Sequence, residues 1–360
     1  MVRYTELRSN GRRDMRQAAP LPFPLTVHIE TTNVCNFRCV HCPTGMADYA
    51  EQAGYYQHMP MELYRKIIAD MVEFGEPVKS LKMYHLGEPL LNRNLAAMVR
   101  MAREAGITER IEITSNCALL TRERAIELLD CGLEYLRVSV YGTEDAVHAA
   151  VTKSKANPRQ ILENVRQLKA LRDERGLRTP FLIAQTLAQS PEENARFKEL
   201  WSPVVDEVSL EYPHDWNGVG DAQFTTSSQG KDWDACFPQQ KQACAFPFYT
   251  LAVRANGSVV TCCVDWNGGT TVGDVRHQSL LEIWRGERLL KLQMMHLERR
   301  RHENSSCANC TALYRSPDSV DELSSAELKR RWLAMRADDP MAPWQQPAAN
   351  PGAAVFPILQ

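Results

Sequence analysis

A chain of 360 residues with 44% hydrophobic content is long enough to bury one large domain and a small one. Its formal net charge of -2 gives no reason to invoke nucleic acid or an anionic membrane as a partner. No apolar run approaches the ~20 residues a membrane span needs, and the arginine-rich N-terminus has no signal-peptide core behind it, so a cytoplasmic location is expected. Eleven cysteines in such a chain point to metal rather than disulfides.

Residues 1–22 read as a solvated arm carrying Arg3, Arg8, Arg12, Arg13 and Arg16. From 23 to 218, six strand-like runs alternate with helix-like runs, at about 25–29, 80–85, 110–114, 134–140, 181–187 and 205–210. That alternation predicts an α/β fold with a parallel sheet built from βα units. Helix boundaries are signalled locally. Asn157-Pro158 reads as an N-cap followed by proline at the first helical position, and Gly176 marks the stop. Ser190-Pro191-Glu192-Glu193 reads as a capping box. Gly106 and Gly132 close two other helices.

The first strand runs into Cys35-Asn36-Phe37-Arg38-Cys39-Val40-His41-Cys42, a C-x3-C-x2-C triplet. Three thiols so spaced can curl around one corner of an iron–sulfur cubane, which normally takes four cysteine thiolates. One iron is left open for a small-molecule ligand. Zinc would more usually be held by two paired C-x2-C knuckles. The spacing and its setting resemble the radical S-adenosylmethionine (SAM) superfamily, in which SAM occupies the open iron. His41 takes the place of that family's aromatic residue.

The six βα units resemble the same family's partial (β/α)6 barrel, whose active site lies at the C-terminal ends of the strands. Leu86-Gly87-Glu88-Pro89 resembles the GGEP motif that contacts the amino group of SAM, with leucine replacing the first glycine. Ser115, Asn116 and Ser139 fall where the family often contacts the methionyl carboxylate and ribose, although each could equally be a helix cap or a sheet hydroxyl.

After strand six comes Glu211-Tyr212-Pro213-His214-Asp215-Trp216, expected over the barrel mouth. Glu211, His214 and Asp215 are its candidate proton-transfer groups. Residues 219–240 read as a linker. Then Cys244, twelve residues, Gly257, four residues and Cys262 resemble the opening of the SPASM/twitch extension. Asn256-Gly257 between extended runs predicts a hairpin that brings the two thiols together. Cys307-Ala308-Asn309-Cys310 adds a knuckle. The resemblance implies a second, auxiliary [4Fe-4S] cluster on Cys244, Cys262, Cys307 and Cys310, with structural zinc the alternative. Neighbouring strand residues face opposite ways, so Cys263 is set apart from Cys262 as a candidate working thiol. The auxiliary domain is placed at 241–315, a helix at 316–338 and a disordered, proline-rich tail at 339–360.

The size and single auxiliary cluster resemble aminocyclitol and aminoglycoside dehydrogenases of antibiotic pathways. That implies an oxidoreductase in which a 5'-deoxyadenosyl radical takes hydrogen from a carbinol, the auxiliary cluster accepts an electron and a ketone results. The implied partners are a carbohydrate-like small molecule and a flavodoxin- or ferredoxin-type reductant. The barrel begins about twenty residues in, leaving no room for a leader-peptide recognition domain and tilting the reading away from ribosomal peptides. The alternatives are an epimerase, with Cys236, Cys263 or Cys117 returning the hydrogen, and a peptide- or protein-modifying enzyme.

Overall fold

A computed structural model describes residues 13–188, 190–211, 216, 241–316 and 318–337. The expected linker at 219–240, the tail at 339–360, most of the arm, and Cys236 lie outside the described residues.

Six parallel strands are laid down in chain order: β1 (Thr26–Ile29), β2 (Ser80–Lys82), β3 (Ile111–Ser115), β4 (Tyr135–Ser139), β5 (Phe181–Leu187) and β6 (Glu207–Glu211). The longer helices between them are α1 (Met61–Val72), α2 (Leu95–Glu104), α3 (Arg122–Asp130), α4 (Asp145–Thr152), α5 (Pro158–Glu174) and α6 (Pro191–Trp201). The sheet does not close, because β6 pairs only with β5. The expected (β/α)6 partial barrel is therefore present.

Period-2 patterning sorts the strand residues. Leu81, Ile111, Ile113, Leu136, Val138, Leu182 and Ala184 are fully buried in the main core with the helices. Tyr64, Ile67 and Met71 of α1 join them, each burial contributing about 1.5–3 kcal/mol. The alternate positions face the other way and are largely polar. Glu112 accepts from Ser80 (2.9 Å) and Arg110 (2.6 Å) and lies 3.9 Å from Lys82. Arg137 donates to Gln185, whose amide donates to Ser139 (2.7 Å), and lies 3.6 Å from Glu211. Two polar groups, one spanning β2 and β3 and the other β4 to β6, thus line the face away from the main core.

Local signals placed helix ends as expected. The Asn157 side chain accepts from the Arg159 and Gln160 N–H groups at the head of α5, and Gly176 takes a φ of +65° at its end. At α6 the Ser190 hydroxyl accepts from the Glu193 N–H, the serine half of the expected capping box, while the Glu193 carboxylate accepts from the Thr143 hydroxyl (3.3 Å).

The second cysteine region does not form a sheet of its own. Strand β7 (Thr250–Val253) pairs parallel to β1, from Thr26↔Thr250 to Ile29↔Val253, and continues through β8 (Ser258–Val260) to β9 (Gly273–Asp274). One nine-stranded sheet results, in the order β6-β5-β4-β3-β2-β1-β7-β8-β9. Helices α7 (Leu280–Trp284), α8 (Glu287–Leu297) and α9 (Ser325–Ala337) follow. Trp284 is anchored by donating to the Leu21 carbonyl (2.8 Å). Among the described residues no helix is long and apolar enough to cross a membrane.

Candidate active site

The first cysteine loop leaves the C-terminal end of β1 through Glu30, Thr31, Thr32 and Asn33, all buried. Asn33 holds the departing chain by donating to the Tyr55 carbonyl (2.8 Å) and accepting from the Gln57 N–H (2.8 Å). The loop then lies along the end of α4, with Arg38 and Val40 N–H groups donating to the Thr152 and Val151 carbonyls (both 2.9 Å). The Phe37 N–H reaches Cys35 Sγ at 3.4 Å, and the Thr44 hydroxyl lies 3.3 Å from Cys42 Sγ. His41 packs edge-on against Tyr141 at 4.5 Å, so the ring expected there has an aromatic neighbour.

These contacts gather three thiols whose ionisation is opposed. Burial, then Glu88, pushes Cys35 up to about 12. Burial, then Cys42 and Cys35, pushes Cys39 well up, and burial raises Cys42. A bound metal core reverses that cost, because coordination deprotonates a thiol outright. The soft, three-thiol donor set on one loop suits iron–sulfur chemistry. Among the described residues, no three His, Cys, Asp or Glu side chains form a cage for a single metal ion.

Gly87 and Glu88 brace this loop. Gly87 has a φ of +75°, and a Cβ there would meet the Thr32 carbonyl oxygen at 2.4 Å and that of Val34 at 2.8 Å. Here glycine's freedom serves contact with the chain's own backbone. The Glu88 N–H donates to the Val34 carbonyl (2.8 Å). Its buried carboxylate accepts from the Leu90 N–H (2.9 Å), the Ser115 hydroxyl (2.7 Å) and the Asn116 N–H (2.7 Å). Burial raises the Glu88 carboxyl, with those three donors opposing. Asn116 donates to the Asn36 side chain inside the cysteine loop (2.9 Å). Glu88, Ser115 and Asn116 are thus joined to the loop of Cys35, Cys39 and Cys42. Leu86 and Pro89 flank them, both buried. Ser139 lies further along the sheet, beside Gln185. Glu211, at the end of β6, accepts from the Ser209 hydroxyl (2.9 Å). His214 and Asp215 lie outside the described residues.

One group escaped the sequence reading. Glu30 and His85, at the ends of β1 and β2, have fully buried side chains 3.2 Å apart. Glu30 also accepts from the Ala255 N–H (2.9 Å) and the Tyr55 hydroxyl. Burial pushes its carboxyl up, but His85, Ala255 and Tyr55 outweigh burial and hold it below its ordinary value. Arg254 donates to the Tyr55 oxygen (3.0 Å) and stacks over the Tyr55 ring at 4.7 Å. The available signal was a glutamate closing an apolar strand run.

The second cysteine set assembles around the β7–β8 hairpin, whose turn has Gly257 at a φ of +95°. Strand β8 ends at Val260, so Cys262 and Cys263 lie in the turn beyond it, where strand alternation no longer separates them. Their thiols hydrogen-bond each other: Cys263 is lowered and Cys262 raised. Cys244 is felt by Cys262 and Cys307, and so is Cys310. Each of these five thiols thus lies within electrostatic reach of others in the set. The Ala255 N–H of the β7–β8 turn donates to Glu30, which sets this hairpin against the ends of β1 and β2, and Lys82 and His85 help lower Cys263. Trp216 reaches the same region, where its carbonyl accepts from the Trp266 indole (3.1 Å).

Residues 29–187 match the model of the radical SAM superfamily, and 244–311 that of the SPASM iron–sulfur cluster-binding domain. The chain carries a radical SAM domain followed by a SPASM domain. Its first domain implies SAM and a [4Fe-4S] cluster, and its SPASM domain implies auxiliary iron–sulfur binding. The radical SAM chain is 32% identical over 114 residues to the Fe-coproporphyrin III synthase of Methanosarcina barkeri; the match spans 32% of this chain and 26% of the synthase. In structure it resembles BtrN in complex with AdoMet and 2-DOIA (TM-score 0.55, 18% identity, 84% of this chain and 97% of BtrN). It also resembles Streptococcus suis SuiB bound to precursor peptide SuiA (TM-score 0.58, 15% identity, 86% of this chain and 76% of SuiB). At such identities both likenesses are of fold.

Proposed function

We propose that this radical SAM protein oxidises a carbinol of an aminocyclitol- or aminoglycoside-like molecule to a ketone. When bound, SAM and its cluster supply a radical that removes the carbinol hydrogen, and the auxiliary cluster supplies an acceptor for one electron. This chain's residues supply the rest. Cys35, Cys39 and Cys42 would hold the SAM-binding cluster, and Cys244, Cys262, Cys307 and Cys310 the auxiliary one. The Glu88, Ser115 and Asn116 brace keeps the cysteine loop in place. The hydroxyl proton goes to a base, and Glu211 at the strand end is the described candidate, with His214 and Asp215 beyond it.

The observation that carries this reading is the junction of the second cysteine region with the strand ends: β7 pairs in register with β1, and the Ala255 N–H donates (2.9 Å) to Glu30, which lies 3.2 Å from His85 just beyond β2. A cluster held there would supply an electron acceptor near the strand ends where the superfamily's chemistry occurs. Glu112, Arg137, Gln185 and Glu211 give the polar face both charge signs and hydrogen-bonding groups suited to a hydroxyl- and amine-bearing ligand. The likeness to BtrN supports the same class. The likeness to SuiB favours a second reading, modification of a peptide.

The test is anaerobic turnover with SAM, a flavodoxin- or ferredoxin-type reductant and an aminocyclitol panel deuterated at each carbinol, beside a peptide panel. The expected outcome is deuterium in 5'-deoxyadenosine together with an equivalent of ketone. Deuterium transfer without ketone, or turnover of peptides only, refutes the proposal.

A further inference from the structure

Around the second cysteine set, two charged side chains approach the Cys307–Cys310 knuckle. The Arg301 guanidinium donates through one nitrogen to the Cys307 and Cys310 carbonyls, both at 2.9 Å, so one cation grips both ends of the knuckle. Its charge also reaches Cys244, where it opposes the rise that burial imposes on the thiol. Nearby His296 is buried and pulled down to about 4 by burial and then by Arg301, so it stays neutral and leaves the positive charge there to Arg301.

Asp265 carries the opposite sign. Its carboxylate is buried and accepts from the Gly268 N–H (3.0 Å), the Gly269 N–H (3.1 Å), the Thr270 N–H (2.7 Å), the Thr270 hydroxyl (2.6 Å) and the Ser306 hydroxyl (3.0 Å). That set fixes the carboxylate beside Cys307, whose thiol it pushes up. Neither residue is a thiol or imidazole donor, so neither duplicates the cysteines' task. Both stand close enough for their charge to act on whatever electron density the cysteines hold.

We propose that Arg301 and Asp265 set the reduction potential of the auxiliary cluster in opposite directions. Reduction adds a negative charge to a buried site. A guanidinium bound to two cysteine carbonyls favours it, and a carboxylate beside one of those cysteines disfavours it. Arg301 is the stronger of the two, because it touches the backbone of two cysteines, whereas the Asp265 charge is shared among five donors. The cluster is thereby held at a potential where it takes up an electron readily. This inference rests on the SPASM cysteines holding a cluster and on no particular substrate.

The experiment is an EPR-monitored redox titration of anaerobically reconstituted full-length enzyme without substrate. The auxiliary signal is identified by its persistence when Cys35, Cys39 and Cys42 are replaced by alanine. Arg301→Gln is expected to move the auxiliary midpoint negative, Arg301→Lys to keep most of the wild-type value, and Asp265→Asn to move it positive. An Arg301→Gln protein with full iron content and an unchanged midpoint overturns the proposal. So do shifts of Arg301→Gln and Asp265→Asn in the same direction, since mere loosening of the fold moves both alike. If Arg301→Gln fails to retain iron, Asp265→Asn decides: a midpoint at or below wild type overturns the proposal, and one above it supports it. If the midpoints shift as expected while no aminocyclitol is turned over, this proposal stands and the dehydrogenase reading fails.

Discussion

Replacing Glu30 by alanine removes the carboxylate that ties the end of β1 to both β2 and the β7–β8 turn. His85 Nδ1 (3.2 Å), the Ala255 N–H (2.9 Å) and the Tyr55 hydroxyl lose their acceptor in a fully buried place. Hydrogen bonds to a charged group contribute about 1.5–3 kcal/mol each. Relief of the buried carboxylate's desolvation returns part of that sum, leaving a net loss of about 3–5 kcal/mol, the upper range for a substitution that breaks a buried hydrogen-bond network. Equilibrium urea unfolding of anaerobic protein at neutral pH measures it, with Glu322→Gln as the control. Glu322 meets Arg16 at the surface, where such pairs contribute about 0–1 kcal/mol. The acid limb gives a second readout. A carboxyl held below its ordinary value of 4.5 contributes stability that is fully present above that pH and lost as pH falls through the folded-state value. The wild-type protein is therefore expected to lose stability over that acid window more steeply than Glu30→Ala. A loss below about 1 kcal/mol at neutral pH, the range of an exposed pair, or unchanged acid limbs, refutes the reasoning.

Gly87→Ala places a Cβ against two carbonyl oxygens in a left-handed backbone, at a cost of about 1–3 kcal/mol for the strain alone; iron retention by the cysteine loop, read by absorbance and iron assay, should fall with it. Reconstituted protein should carry about eight irons per chain, four for each of two cubanes, and Cys35→Ala should abolish release of 5'-deoxyadenosine. Cys244→Ala should spare some 5'-deoxyadenosine release and lose the ketone; unchanged ketone formation removes the electron-acceptor role.

Features written in short stretches were legible in the sequence. The Asn157 cap, the Ser190 cap and the Asn256-Gly257 turn depend on neighbouring residues, and the six strand runs on apolar periodicity. The C-x3-C-x2-C spacing gathers its thiols within one loop, so it too could be read directly. Features depending on distant partners were not. Nothing near Thr250 announces that it pairs with Thr26, and Glu30 and His85 meet only because β1 and β2 are neighbours. Strand alternation misled at Cys262 and Cys263 because β8 stops at Val260, before either of them. The conformational freedom of Gly87 was legible, but the surface it faces was not. That surface proved to be the carbonyls of Thr32 and Val34.

Because β7 lies in register beside β1, four backbone rungs weld the metal-bearing ribbon to the strand that launches the first cysteine loop. The two redox stations cannot swing apart without tearing a parallel ladder through the centre of the sheet. The separation of the two cysteine regions is a fixed dimension of the scaffold, and lengthening it requires rebuilding the sheet.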